Sequence, residues 1–515
     1  METTMTATDT KHDVIVVGAG SAGCALASRL TADSDTDVLL LEAGRPDDKE
    51  EIHTPPRFPE LYRSEVDWDY ETEPQEALND RRLYHPRGKT LGGSSSLNAM
   101  IYIRGHRRDY DHWAELGNEG WGYDAMLESF KRAEQFEPGD SEYHGEGGPL
   151  NVTEHDDPHP LSGALVDAMA EAGIDRNPDF NGERQAGCGF YHVTQRDGKR
   201  CSSAAAYIKP ALDRSNLTVE TEAQVTGVRF DGDRAVGVTY RQDGATLAAA
   251  ATSDVVLSAG AINSPQLLML SGIGPADHLS EHGIDVRADL PGVGQNLQDH
   301  LKLGVVYEQT GGPDAPSPTS NVVESGCFVQ IDEDRPAPDL QLHNAPVYLL
   351  EHGLGAPDDD RSYFTIMPTQ IRPESTGEIR LASDDPHDAP VIDPDYLAAE
   401  GDIEPLREGV RLARELARTD ALADYCGEEV HPGEAVTSDE EIEAFVREHA
   451  TTVYHPAGTC KMGTDEMAVV DDELRVRGVE GLRVVDASIM PRIVGGNTNA
   501  PTIAIAEKAA DLIAP

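Results

Sequence analysis

DVIVVGAGSAG at residues 13–23, read with VLLLEAG at 38–44, decides the fold. The run from Asp13 to Val17 is short and apolar and predicts a buried parallel strand. Gly18, Gly20 and Gly23 then give G-x-G-x-x-G at a strand-to-helix turn, with Ser21 and Ala22 opening the helix. Ala22, Ala25, Leu26, Ala27 and Leu30 supply a helical apolar face. A second strand ends at Glu42, nineteen residues past Gly23, with Ala43 beside it. This is the whole βαβ dinucleotide fingerprint in its required order. Glycine permits the tight turn and the close approach of backbone to a pyrophosphate. The helix N-terminus attracts that anion, and Glu42 accepts from ribose hydroxyls. A carboxylate at this point repels a 2′-phosphate, which disfavours NADP.

The 515 residues exceed one ordinary domain, so two or more are expected. The formal charge is −51, with 93 acidic residues against 42 basic ones, only nine of them lysine. Acidic blocks such as RPDDKEE, PDDDR and TSDEEIE interrupt regular apolar segments and read as solvated loops and helix faces. An evenly acidic surface is the pattern expected of a halophile's cytoplasmic protein, and it opposes binding to nucleic acid or anionic membrane. The six cysteines show no C-x-x-C spacing, so free thiols are expected and a metal site is not. METTMTATDTKHD has no apolar core of a signal peptide, and no window approaches a membrane span. A cytoplasmic location is expected.

Residues 1–12 read as a disordered lead, and 45–85 as an excursion with little regular structure. HPRGKTLGGSSSLNAMIYIRGH (85–106) is a Gly/Ser loop entering an apolar segment. Helices are expected at 121–136 and 159–173, a β-meander from Leu217, and a strand, turn and helix at 254–274. The stretch 302–450 carries short strands, many prolines and two acidic helices. The C-terminal part reads as a strand at 483–485, a loop and a helix at 501–513. The predicted fold is α/β (α+β): a Rossmann-like domain from discontinuous segments (11–45, 86–150, 213–301 and 452–515), with an inserted domain on an antiparallel sheet (46–85, 151–212 and 302–451).

A fingerprint near residue 13 suits NAD or FAD. Asp486, ending the last strand before the final helix, favours FAD, because it can meet a ribityl hydroxyl. Five motifs then make the resemblance specific: RGKTLGGSSSLNAMIYIRG (87–105), GAINSPQLLMLSGIG (260–274), PGVGQNLQDH (291–300), YHPAGTCKMG (454–463) and VVDASIMP with NTNAPTIAIAEKAAD at the end. In this order, over nearly the whole chain, they resemble the glucose–methanol–choline (GMC) oxidoreductases, in the branch of choline dehydrogenases and bacterial alcohol dehydrogenases.

The resemblance implies an FAD-dependent alcohol oxidoreductase, choline being one candidate substrate, with oxygen, a quinone or another carrier as electron acceptor. His455 matches the family base that faces flavin N5, and Asn499 the second catalytic position. Hydride leaves an alkoxide-like carbon far more readily than a neutral alcohol, which is why a base is needed beside the ring. Gly92, Gly93, Ser95, Asn98, Ala99, Met100 and Ile101 match flavin neighbours, and Val225 a backbone contact to adenine. Ala259, Asp486, Ala487, Asn499 and Thr502 complete the cofactor set. Some relatives tether FAD through a histidine where Leu97 stands, so a non-covalent cofactor is expected. Glu324 resembles the carboxylate that holds choline's ammonium, but it reads equally as a plain structural acceptor, and Tyr454 is a second substrate candidate. The alternative on the same fold is a hydroxynitrile lyase that keeps FAD without redox use.

Overall fold

The structure, a computed structural model, describes residues 10–32, 35–313, 315–352 and 357–513. Two sheets organise it. Their strands are, in chain order, β1 (Thr10–Val17), β2 (Val38–Leu41), β3 (Gly187–Phe190), β4 (Leu217–Glu220), β5 (Gln224–Asp231), β6 (Arg234–Gln242), β7 (Ala245–Leu257), β8 (Leu301–Lys302), β9 (Val305–Gln309), β10 (Ser325–Val329), β11 (Leu340–Ala345), β12 (Ser362–Gln370), β13 (Cys426–His431), β14 (Thr451–Thr452) and β15 (Leu482–Val484). Three helices matter most: α1 (Ser21–Leu30), α2 (Gly260–Leu270) and α3 (Asn499–Ile513).

The first sheet runs β4-β2-β1-β7-β6-β5, with β15 also paired to β7. The β4-β2-β1-β7 and β7-β15 pairings are parallel. Residues Val14–Val17 and Val38–Leu41 are buried throughout, as expected of strands covered on both faces. The β5-β6-β7 part is an antiparallel meander. β7 spans both parts, because its 13 residues pair with β6 near its start and with β15 near its end. β1 begins at Thr10 and pairs from there with Ala249, inside the stretch read as a disordered lead; residues 1–9 of that lead lie outside the described residues.

The second sheet is antiparallel, β13-β9-β12-β11-β10-β3, with β8 joining β12 to β14. Each sheet has its own apolar core, one built around Ile15, Leu26, Leu40, Val256 and Ile503, the other around Leu165, Leu342, Phe364 and Leu406. The excursion at 45–85 is more regular than expected, with short helical turns at Glu50–His53 and Pro55–Leu61. It also touches the first core through Tyr70, which stacks on Trp68 at 5.7 Å.

Two close approaches explain the fingerprint glycines. A Cβ on Gly23 would lie 1.9 Å from the Gly18 carbonyl oxygen, so only glycine lets α1 pack on the turn that launches it. Gly93, at φ +53°, brings the Gly/Ser loop against the turn, where its Cβ would meet Gly20 Cα at 2.6 Å.

Candidate active site

One cavity runs from the β1–α1 turn and Glu42 to His455 and the second sheet. Every residue singled out from the sequence lines it except Gly23, Gly92, Ser95 and Glu324. Gly23 works in helix packing, and Ser95 is turned away, its hydroxyl donating to Gly92 O and accepting from Ser203 N–H. Glu324 requires a correction. It is fully buried, with one oxygen accepting from His159 N–H and the Ser162 hydroxyl and the other from the Ser320 hydroxyl. Its neighbour Val323 faces the cavity instead, so this carboxylate belongs to the wall's interior.

The cavity's first half is shaped for a dinucleotide. A Cβ on Gly20 would have nothing closer than 3.9 Å, so the turn leaves room at the helix start. α1 carries no acidic residue in its first turn and no side-chain cap, so its leading N–H groups face the cavity. Glu42 accepts from Ala19 N–H at 2.9 Å and Gly44 N–H at 2.8 Å. Burial pushes its carboxyl up to about 7 against those two donors. Asp486 accepts from Gly260 N–H and the Ser264 hydroxyl at the start of α2, and from Ser488 N–H. Burial raises its carboxyl too. Leu97, at the tether position, is buried among Ile52, Leu61 and Val66.

The second half holds the chemistry. His455 is buried and its backbone N–H donates to Asp299 at 2.7 Å. Asp299 also accepts from Thr452 at 2.6 Å, from His85 at 3.2 Å and from the Tyr396 hydroxyl, and those partners hold its carboxyl well below the usual range despite burial. Tyr454 sits at φ +73°, a left-handed backbone that few side chains adopt. Its hydroxyl meets His352 Nδ1 at 2.6 Å and its carbonyl accepts from Arg87 at 2.7 Å. These contacts fix the turn that presents His455.

Hydrogen bonding defines the imidazole's tautomer. Gln341 donates to Asn497 Oδ1 at 3.2 Å, which turns the Asn497 amide nitrogen toward His455 Nε2 at 3.4 Å. Behind it, His455 Nδ1 lies 3.0 Å from His300 Nδ1. With Nε2 facing an N–H donor, Nδ1 carries the hydrogen and donates to His300. The basic lone pair therefore faces the cavity. Burial, then the His300 ring, hold the His455 imidazole well below its ordinary value, and burial holds His300 down to about 4. Both are neutral at physiological pH.

Asn497 rather than Asn499 stands beside His455. Asn499 opens α3, lines the cavity and accepts from the Ser21 hydroxyl at 2.7 Å, tying α3 to the fingerprint turn. The two asparagines are two residues apart in NTN, and periodicity offers nothing to separate them. Asn497, His300 and Gln341 were not singled out from the sequence. His300 had a signal, its place in the motif QDH shared with Asp299.

A sequence model of the family described as GMC oxidoreductase matches residues 12–302 and 373–506. An alcohol dehydrogenase [acceptor] of Pseudomonas putida is 46% identical, over 98% of this chain and 95% of its own length. The human mitochondrial choline dehydrogenase is 47% identical, over 98% and 90%. Among solved structures, pyridoxine 4-oxidase from Mesorbium loti matches with a TM-score of 0.93 and 35% identity, covering 97% of this chain and 98% of that one.

Proposed function

The chain belongs to the GMC oxidoreductase family, and we propose that it is an FAD-dependent alcohol oxidoreductase with His455 as its base and Asn497 as the partner donor. The observation that carries this reading is the neutral imidazole whose lone pair opens into the same cavity as the dinucleotide cradle. Glu42, Val225, Asp486 and the N–H groups of α1 would hold FAD, and Leu97 offers no atom for a covalent tether, so the cofactor is retained non-covalently. When bound, FAD takes up the hydride from the alcohol carbon. The protein does the rest. His455 Nε2 accepts the hydroxyl proton, and the Asn497 amide donates to the oxygen as negative charge grows on it. The Asn497 contact is long at 3.4 Å, so an incoming hydroxyl displaces little to reach the lone pair. His300 accepts the Nδ1 hydrogen bond and steadies the imidazolium that forms. The apolar wall of Val323, Leu349 and Met367 excludes water.

Anaerobic mixing of the purified protein with alcohols, followed by flavin absorbance, tests this reading: bleaching is expected, and a colourless protein or one bleached by no alcohol refutes it. Admitting air then separates oxygen from a quinone or other carrier as acceptor. The acidic surface supports a salt-adapted cytoplasmic protein. Among the described residues no helix is long and apolar enough to cross a membrane. A thermal midpoint that rises steeply between dilute and molar salt is expected of salt adaptation; no rise would refute it.

A further inference from the structure

The substrate end of the cavity contains a buried cation that the proposed reaction does not use. Lys302 is 5% exposed and lines the cavity. Among the described residues it forms no ion pair, and its Nζ has one contact, the Met367 thioether at 3.7 Å. Burial alone pulls its ammonium down to about 8, so it still carries charge at neutral pH. A lysine in an apolar wall without a counter-charge is costly, and such groups usually mark a place where a ligand supplies the missing charge.

The neighbouring strands place a second polar group beside it. β8 and β11 flank β12, where Lys302 pairs with Thr369 and His343 pairs with Met367. The two side chains therefore meet around Met367 on the cavity side. His343 Nδ1 lies 3.0 Å from the Thr369 hydroxyl, and its buried Nε2 has no hydrogen-bond partner. The Thr369 hydroxyl also donates to Met367 O at 3.3 Å. Lys302 is also two residues beyond His300, on the same face of an extended segment, and β8 pairs with β14, just before His455. The cationic corner and the base thus share one pocket.

We propose that Lys302 is the centre of a subsite for an anionic group, so that the preferred substrates are alcohols carrying a carboxylate or comparable anion at the end remote from the hydroxyl. This rests on the alcohol oxidoreductase reading above. The same corner disfavours a quaternary ammonium. Phe58, Tyr62 and Tyr454 do offer an aromatic wall. Yet among the described residues the cavity's only lining carboxylates are Glu42 and Asp486, both at the dinucleotide half and both engaged with backbone N–H groups. A desolvated trimethylammonium would meet Lys302 with ring faces but no carboxylate to offset the repulsion.

The test compares short ω-hydroxycarboxylates with their carboxamides, and choline with its neutral carbon isostere, on the FAD-loaded enzyme. A carboxylate-to-carboxamide ratio in kcat/KM of at least about 10 is expected, with choline poorer than its isostere. Lys302→Met and Lys302→Gln should collapse that ratio toward unity. Butanoate, which has no hydroxyl, should perturb the flavin spectrum of the wild-type enzyme, and should do so at least about tenfold more weakly in either variant. Equal treatment of carboxylate and carboxamide, or a preference for choline, overturns the proposal. If no alcohol reduces the enzyme, the oxidoreductase reading fails, and the butanoate titration still decides the anion subsite: saturable binding that depends on Lys302 supports it, and its absence overturns it.

Discussion

Replacing His455 by alanine removes the one neutral imidazole whose lone pair faces both the dinucleotide cradle and the amide of Asn497. A positioned general base contributes about 10²–10⁴ in rate, or roughly 3–5 kcal/mol of barrier at about 1.4 kcal/mol per decade. The upper part of that range is expected here. His300 lies behind His455 with its Nδ1 3.0 Å from the lost ring's Nδ1 and does not line the cavity, and of the lining imidazoles only His455 faces the Asn497 amide nitrogen through a ring nitrogen. The assay is single-turnover anaerobic reduction by a saturating alcohol, with bound FAD quantified first. His455→Ala should bind FAD and be reduced about 10³–10⁴ times more slowly. Asn497→Ala should slow reduction by about 10², the usual loss of one donor to a developing oxyanion. Asn499→Ala should instead weaken FAD retention, because its bond to Ser21 joins α3 to the fingerprint turn. Reduction of His455→Ala within tenfold of wild type would refute the base assignment. Greater loss in fully loaded Asn499→Ala than in Asn497→Ala would refute the partner assignment. The pH profile adds an independent check. Because burial holds His455 well below its ordinary value, the reduction rate should stay level as pH falls through 6.5; a decline centred there would show an imidazole of ordinary basicity.

Glu324→Gln should lower stability by about 3 kcal/mol, since the amide sets an NH2 group against donors that the carboxyl oxygens now accept, while the KM for choline relative to its neutral isostere is unchanged; a selective rise in that KM, read by steady-state kinetics, would return Glu324 to the substrate site. Gly93→Ala places a Cβ 2.6 Å from Gly20 Cα at a left-handed φ, costing about 1–3 kcal/mol, and should appear as FAD loss on gel filtration; full retention would show that the loop yields without disturbing the cradle. Burial lowers His300 and His192 to about 4 and His343 to about 3, so below pH 6.5 the unfolded chain binds protons that the folded one refuses. Stability should then fall with pH by up to about 1.4 kcal/mol per unit for each of them, and denaturant titrations showing no slope between pH 6 and 4.5 would contradict their burial as neutral groups.

What was legible in the sequence follows from how locally each constraint acts. The β1–α1–β2 unit could be read because glycine spacing, an apolar strand and a distant acid all act within one supersecondary element. Glu42 at the end of β2 is a case in point, since its position follows from strand length alone. Asn497 and Asn499 differ in role for a reason no local pattern holds: one residue points back into the turn before α3, where Gln341 on β11 sets its amide, and the other begins the helix and meets Ser21. The choice between the substrate and the structural reading of Glu324 was hidden for the same reason. Whether a strand residue faces the cavity or the interior depends on register, and β10 begins only at Ser325, so the face of the preceding carboxylate is set by a bend with Val322 at φ +71°. Lys302 shows the converse. In sequence it is one of nine lysines in a short strand after QDH. Only pairing of β8 with both β12 and β14 carries it away from solvent and into the pocket of His455, among groups that supply no opposite charge. A surface lysine in so acidic a chain would have many partners. The one buried without any is where long-range register, rather than composition, points to the substrate.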